Sequence, residues 1–385
     1  MTPRPFKIRI PDETLDDLHR RLRAIRWPSS LDDESWDDGA GLSFVRGLAD
    51  HWLHRFHWRA EEERLNRLPQ YLMTVDGTDI HFVHRRGVGP SPMPLVLTHG
   101  WPGSFIEMER ILPLLTDPGA HGGDPADAFH VVAPSLPGYG FSPAPTRPGV
   151  SSREIAELWR ALMAGLGYDR FAAQGGDIGA GVSTWLARLF PDSILGVHLN
   201  FIPGSFRPAL GEEPITAAEQ AFLDQTASWA AAEGAYFALH ATKPQTLAFS
   251  LTDSPIGLAA WIVEKFRSWS DCGGDVERCF SLDELLTNIS LYWFSDSPYA
   301  ATRLYKENRR QPLSFAPDER VLPPLGVAVF PRELWMPPRS WVERVFDVRQ
   351  WTVMPSGGHF AAMERPELLA ADIRAFFRPQ RVAAG

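Results

Sequence analysis

From Pro94 onward the sequence alternates two kinds of apolar pattern, and few folds accommodate that alternation. Short apolar runs stand at PLVLTHG (94–100), FHVVAPS (129–135), RFAAQGGD (170–177) and ILGVHLN (194–200). Stretches with helical spacing lie between them at 152–166 and 179–190, the latter with Val182, Leu186 and Leu189 on one face. Nearly continuous apolar runs suit strands covered on both faces, and the intervening helices are the crossovers that parallel pairing requires. The alternation predicts an α/β fold with a mostly parallel sheet flanked by helices. It resumes at LGVAVF (325–330), WTVM (351–354) and a closing helix over 367–377.

Between residues 201 and 315 the strand signals stop. Ser254 precedes Pro255 at a helix start, followed by a stripe of Leu258, Ile262, Phe266 and Trp269, which reads as a helical cap inserted into the core. The first ninety residues form a preface of a different kind. Asp12 is placed to cap a helix carrying Leu15, Leu18, Leu22 and Ile25, and a second amphipathic stretch holds Phe44, Leu48 and Trp52. MTVDGTDIHFVH then reads as a hairpin turning at Asp76-Gly77. The expected organisation is an amino-terminal wrapping module over 1–90, core over 91–200, cap (lid) over 201–315, and core again over 316–385. The module carries no evident chemistry, so it is expected to brace the lid or a homodimer contact.

Composition excludes several classes. A net charge of −9 lacks the basic footprint of a nucleic-acid binder. No apolar run reaches the roughly 18 residues of a membrane span, and the opening MTPRPFKIRIPDE lacks the apolar segment of a signal peptide. Cys272 and Cys279, the only two cysteines, are too few for a disulfide framework or a cysteine zinc site. These features predict a soluble, cytoplasmic protein without membrane or nucleic-acid partners. His51, His54 and His57 have helical spacing, but no carboxylate or cysteine completes a metal tetrahedron, so packing is the reading preferred. The acidic run DDESWDDGAG (32–41) reads as a solvated loop.

Chemistry concentrates in three strings. In FAAQGGDIGAGVSTWLARLF (171–190) a strand ends at Gly175-Gly176, Asp177 follows, and Ile178-Gly179 opens a helix. This is the elbow of the α/β-hydrolase fold with Asp in the place usually held by Ser, and no G-x-S-x-G string occurs elsewhere. The turn lifts one side chain above the sheet, where the helix N-terminus favours an anion; a plain N-cap is the other reading of Asp177. LTHGWPGS (97–104) supplies a loop whose Trp101 N–H, paired with the Ile178 N–H, would form an oxyanion hole. MPSGGHFAAMERPELLAADI (354–373) places His359 after the last strand, in the nucleophile–acid–histidine order of this fold. The orienting acid should follow a strand, which favours Glu333 in VAVFPRELW over Asp347, placed before the next strand.

Together the strings resemble the microsomal-type epoxide hydrolase family, in which an amino-terminal helical module precedes an α/β-hydrolase core. The likeness spans essentially the whole chain: HGWPGS, GGDIGA, TKPQT (242–246), DSPIGLAAWIVEKF (253–266), LYKEN (304–308), FPRE (330–333) and GGHFAAME (357–364). It implies Asp177 as nucleophile, Glu333 as charge-relay acid, His359 as base, and two lid tyrosines, Tyr236 and Tyr305, with Tyr299 in reserve. Two departures stand out: Ile178 occupies a position where several relatives place Trp, and the membrane anchor of the mammalian members is missing. The implied reaction adds water to a small-molecule epoxide through an aspartyl ester, giving a vicinal diol without metal or organic cofactor. An ester divides one hard step into two easier ones. A tyrosine keeps its proton at neutral pH and can donate to the developing alkoxide, so activity should fall above pH ~9 to 10. Fourteen tryptophans suggest a bulky or aromatic substrate, in biosynthesis or detoxification. The alternatives are a haloalkane dehalogenase, which Ile178 beside Asp177 disfavours for want of a halide donor, and a catalytically silent binding module, which the filled triad disfavours.

Overall fold

The computed structural model describes residues 2–209 and 214–382. Among them, strands β1 (Arg4–Pro5), β2 (Gln70–Val75), β3 (Thr78–Arg85), β4 (Met93–Thr98), β5 (Phe129–Pro134), β6 (Phe171–Gly175), β7 (Ile194–Leu199), β8 (Val321–Val329) and β9 (Phe346–Val353) form one sheet. Its order is β1-β2-β3-β5-β4-β6-β7-β8-β9. From β5 to β9 every neighbouring pair is parallel, and β1, β2 and β3 extend the β5 edge antiparallel. The central strands are covered on both faces: Leu95, Val96, Val131, Val132, Ala172, Ala173 and Val197 are all fully buried. This is the mostly parallel α/β architecture that the strand–helix alternation predicts.

Strand β4 lies between β5 and β6, so the order of strands reverses beside it. Open parallel sheets bind ligands outside the carboxyl ends of the strands at such a switch point. The β4–β6 register pairs Thr98 with Gly175, which brings the loop after β4 level with the turn after β6. Two segments distant in sequence thereby share one edge of the sheet.

The amino-terminal module is continuous with the core. Asp76 (φ 46°) and Gly77 (φ 78°) make the left-handed turn between β2 and β3, and β3 then pairs with β5 through Phe82 and Pro134. Strands on both sides of residue 90 therefore belong to one sheet, and the helices of the amino-terminal segment are Asp12–Arg23, Leu42–His54 and Trp58–Leu65. Asp12 does not cap the first helix. Pro11 holds the cap position, and Asp12 enters the first turn and pairs with Arg59, where its charge favours the helix dipole.

Among the described residues six helices of eight or more residues form the lid: Ala217–Glu233, Ala235–Thr242, Pro244–Asp253, Pro255–Trp269, Leu282–Phe294 and Pro298–Arg310. The Ser254 hydroxyl caps the fourth by accepting from Gly257 N at 3.0 Å, and Leu258, Ile262, Phe266 and Trp269 are buried as their spacing predicts. The wrapping helices grip this lid. Arg21 donates to the Asp253 carboxylate at 2.9 Å, His51 meets Asp283 at 2.7 Å, and Thr287 donates to Glu61 at 3.1 Å. Trp58 packs edge-on against Phe294 at 4.8 Å. Within the acidic 32–41 segment, Trp36 lies beneath the Arg267 guanidinium at 4.5 Å, so that segment too contacts the lid. Among the described residues no single helix is long and apolar enough to cross a membrane; the apolar pair Pro244–Asp253 and Pro255–Trp269 bends by 114°.

Candidate active site

Asp177 is the first residue of helix Asp177–Leu189 and has φ 45°. A non-glycine residue in this left-handed region costs about 1 to 3 kcal/mol, strain that persists only where the surroundings over-determine it. Here they do. A Cβ on Gly179 would stand 2.0 Å from the Thr98 carbonyl oxygen, so only glycine lets the helix start this close to β4. On the facing loop, a Cβ on Gly100 would lie 2.2 Å from Asp177 Oδ1. The Trp101 amide donates to that same oxygen at 2.8 Å. The Ile178 amide, in the first helical turn where N–H groups lack intrahelical partners, makes no hydrogen bond to the carboxylate.

The other carboxylate oxygen, Oδ2, lies 3.5 Å from His359 Nε2. His359 Nδ1 is 2.6 Å from Glu333 Oε1, an oxygen that also accepts from Leu334 N at 2.7 Å. Asp347 points to Arg349 at the start of β9, the end of the sheet away from the site. Burial opposes a charge on His359, but the Glu333 and Asp177 carboxylates outweigh it and hold the imidazole well above its ordinary value. His359 is further fixed by its own N–H, which donates to the Trp269 carbonyl at 2.9 Å. Trp269 also packs edge-on to the ring at 5.1 Å.

The lid delivers the two expected tyrosines to one cluster. Tyr236, in Ala235–Thr242, stacks on Trp101 at 5.4 Å, and its ring centre lies 6.1 Å from that of Tyr305, in Pro298–Arg310. Both are buried. Burial, reinforced by the Asp177 charge, raises both phenols well above 10. The alkaline fall expected near the ordinary phenol value moves to higher pH, because the buried phenolate has lost its hydration. Tyr299 lies elsewhere, accepting from Arg303 at 3.2 Å and lining a separate cavity with Pro137 and Glu307. Tyr292 donates to the Gly103 carbonyl at 2.7 Å, which makes it a brace for the 99–104 loop.

Several contributors to the site carry no sequence signal. Asn288 donates to the Pro102 carbonyl at 2.7 Å and accepts from Ser104 at 2.9 Å, so a lid helix clamps the loop that holds Asp177. His99, pushed down to about 4 by burial, accepts from Leu136 N at 3.2 Å and acts as a neutral pin between two loops. Glu364, pushed up to about 7 by burial, accepts from Phe360 N and Asp271 N. These roles depend on contacts across long stretches of chain, which residue spacing does not encode.

A parallel sheet ending in such an elbow defines an α/β hydrolase, and the acid at its tip sets this chain apart from the serine-bearing members of that class. A family model described as "Epoxide hydrolase N terminus" matches residues 3–108, and one for the "alpha/beta hydrolase fold" matches 93–246. A Stigmatella aurantiaca protein, provisionally named an epoxide hydrolase, is 47% identical over 98% of this chain and 85% of its own length. Epoxide hydrolase 1 of Oryctolagus cuniculus is 39% identical over 97% of this chain and 88% of its own. The solved structure of Aspergillus niger epoxide hydrolase superposes with a TM-score of 0.85 at 33% identity, covering 98% of this chain and 97% of that one. The chain belongs to the epoxide hydrolase family.

Because Glu333 helps to hold the proton on His359, Glu333→Gln should lower the pH at which His359 becomes a free base. The ascending limb of ester hydrolysis should shift to lower pH, while the plateau rate drops about 10- to 100-fold as the imidazole loses basicity and orientation. A pH–rate profile measured on the hydrolytic step checks this, and a limb that stays in place or moves upward would contradict it.

Proposed function

We propose that the chain opens a bulky, aryl-bearing epoxide to a vicinal diol through an ester on Asp177. Asp177 Oδ2 attacks a ring carbon while Tyr236 and Tyr305 donate to the epoxide oxygen from the opposite side, as in-line displacement requires. His359, oriented by Glu333, then takes a proton from water as its oxygen adds to the ester carbonyl. The Trp101 amide, already bonded to Oδ1, and the Ile178 amide receive the negative charge that develops there. The arrangement that carries this reading is a single carboxylate divided between an amide donor at 2.8 Å and an acid-paired imidazole at 3.5 Å. The two buried lid phenols pack on the Trp101 ring that adjoins it.

Charge on His359 suits the sequence of steps. While Asp177 is anionic, the two carboxylates favour the imidazolium. Esterification removes one of those charges, so the proton is held less tightly and the base is freed when water must be activated. The aryl preference is supported by the aromatic walls: Trp101 and Trp269 flank Tyr236, while Phe201 lies 5.5 Å from His359 and packs on Trp335. Both cysteines are free, as suits the reducing cytoplasm.

His359→Gln should leave ester formation largely intact and stall hydrolysis, so intact-mass measurement should find enzyme plus one substrate. In the wild type, a single turnover in heavy-oxygen water should put the label into the Asp177 carboxylate; label confined to the diol would mean direct attack by water. For the lid donors, Tyr236→Phe or Tyr305→Phe should each slow ester formation about 10- to 1000-fold, and the double change should nearly abolish it. Rapid-quench kinetics checks this against Tyr299→Phe, which should match the wild type. Among substrates, styrene-type and larger aryl epoxides should exceed short aliphatic ones in kcat/KM by about tenfold or more, from apolar contact alone. Equal values across that panel would remove the aryl assignment and leave the chemistry untouched.

A further inference from the structure

Helix Pro255–Trp269 buries a cation along with its apolar stripe. Lys265 belongs to its buried face, with a side chain only 8% exposed. A buried ammonium loses its hydration and persists where other contacts replace it. Its carboxylate partner is Glu264, the preceding residue, whose side chain is 22% exposed. Its other partners are aromatic: Nζ stands 4.9 Å from the Tyr236 ring centre and 5.8 Å from that of Trp269. A cation this close to an aromatic face is attracted by the ring quadrupole, most strongly where water is excluded. Methionine would fill a similar volume without the desolvation cost, so the charge itself calls for a role. The ring is also packed by Trp101 at 5.4 Å, Trp269 at 5.2 Å, His240 at 5.6 Å and Tyr305 at 6.1 Å. None of these four supplies a positive charge, since His240, lowered to about 3 by burial and then by the Lys265 charge, is neutral. Burial and the Asp177, Glu264 and Glu333 carboxylates oppose negative charge on the Tyr236 phenol, while the Tyr305 hydrogen bond favours it.

We propose that Lys265 is a positioning residue for ester formation, its ammonium over the Tyr236 ring strengthening that phenol as the donor to the epoxide oxygen. The proposal rests on the reading of Tyr236 as that donor. As Asp177 Oδ2 bonds to the ring carbon, the carbon–oxygen bond breaks and its electron pair collects on the epoxide oxygen. The Tyr236 O–H shares that charge through its hydrogen bond, and electron density builds on the phenol ring beneath Lys265. The charge is absent before the bond breaks, so the contact with the ammonium strengthens in the transition state, which is the condition for a faster step. Hydrolysis of the ester runs through His359 and the Trp101 amide and draws nothing from this contact.

Rapid-quench kinetics with a styrene-type epoxide tests the proposal on Lys265→Met, Lys265→Gln and Lys265→Arg, with Tyr236→Phe alongside. Methionine keeps the length and removes the charge; ester formation should slow about 5- to 30-fold, the span of a desolvated cation–ring contact, while hydrolysis stays within about threefold. Glutamine should act like methionine, which keeps the test open should the methionine variant not fold. Arginine keeps a cation that stacks on aromatic faces, and should hold ester formation within about threefold of wild type. A ring-fluorinated tyrosine in place of Tyr236 is a more acidic phenol, and in the Lys265→Met background it should recover ester formation by about threefold or more. Packing alone would give no such recovery. Wild-type ester formation in a folded methionine or glutamine variant, an arginine variant as slow as either, or no gain from the fluorinated phenol would overturn the role. Tyr236→Phe forming the ester at the wild-type rate would count against the Tyr236 reading itself. A slow Tyr236→Phe beside an unimpaired Lys265→Met would remove only the role of Lys265.

Discussion

One imidazole between two carboxylates governs the site. His359 is buried, and burial alone would strip its charge; Glu333 at 2.6 Å and Asp177 at 3.5 Å reverse that preference. The two acids differ in what holds them. Glu333 is tied to the backbone after β8 through Leu334 N, whereas Asp177 is tied to a separate loop through Trp101 N. Of the two, the one that acts more strongly on the lid phenol Tyr236 is Asp177. An ester on that residue would change the field at His359 without disturbing its bond to Glu333, so orientation and basicity would be set by different partners.

The arrangement depends on holding the 99–104 loop still. A shift of a fraction of an ångström would weaken the bond from the Trp101 amide to Oδ1. Restraint comes from three directions: His99 pins the loop to Leu136, Asn288 and Ser104 bond across to the lid, and Tyr292 donates to Gly103. Helix Leu282–Phe294 supplies two of these contacts and is itself gripped by the amino-terminal module through His51 and Glu61. The module thus reaches the candidate site through a chain of packed elements. Its three strands also extend the sheet from the β5 edge, which would otherwise present unpaired backbone.

Electrostatics and aromatic packing meet at the lid. Tyr236, Tyr305, Trp101 and His240 have ring centres between 4.8 and 6.1 Å apart, an apolar wall that excludes water from the phenols. Trp261 donates its indole N–H to His240 Nε2 at 3.1 Å, and an indole nitrogen can only donate, so neutral His240 carries its proton on Nδ1. Burial lowers this histidine to about 3. It therefore brings no charge to compete with His359, and it shields both tyrosines.

The sequence by itself made the elements and the candidate reacting groups legible, because both are local. Apolar periodicity located the central strands and the cap helices, Asp76-Gly77 located the hairpin, and the small residues around Asp177 marked a turn that larger ones could not make. Chain order together with the rule that functional side chains follow strands selected Glu333 over Asp347, and the structure pairs it with His359. Tertiary structure alone decided what spacing cannot encode. It joined the amino-terminal strands to the core sheet, displaced Asp12 from the cap position in favour of Pro11, and separated Tyr299 from the pair formed by Tyr236 and Tyr305. It also set the proton affinities, since a phenol or carboxyl departs from its ordinary value only when particular neighbours remove its water. Glu107, a carboxyl that burial pushes up to about 8, is the clearest case. Nothing in its flanking residues distinguishes it from a surface acid, and only the closing of the loop, the elbow and the histidine turn around it makes it part of the site.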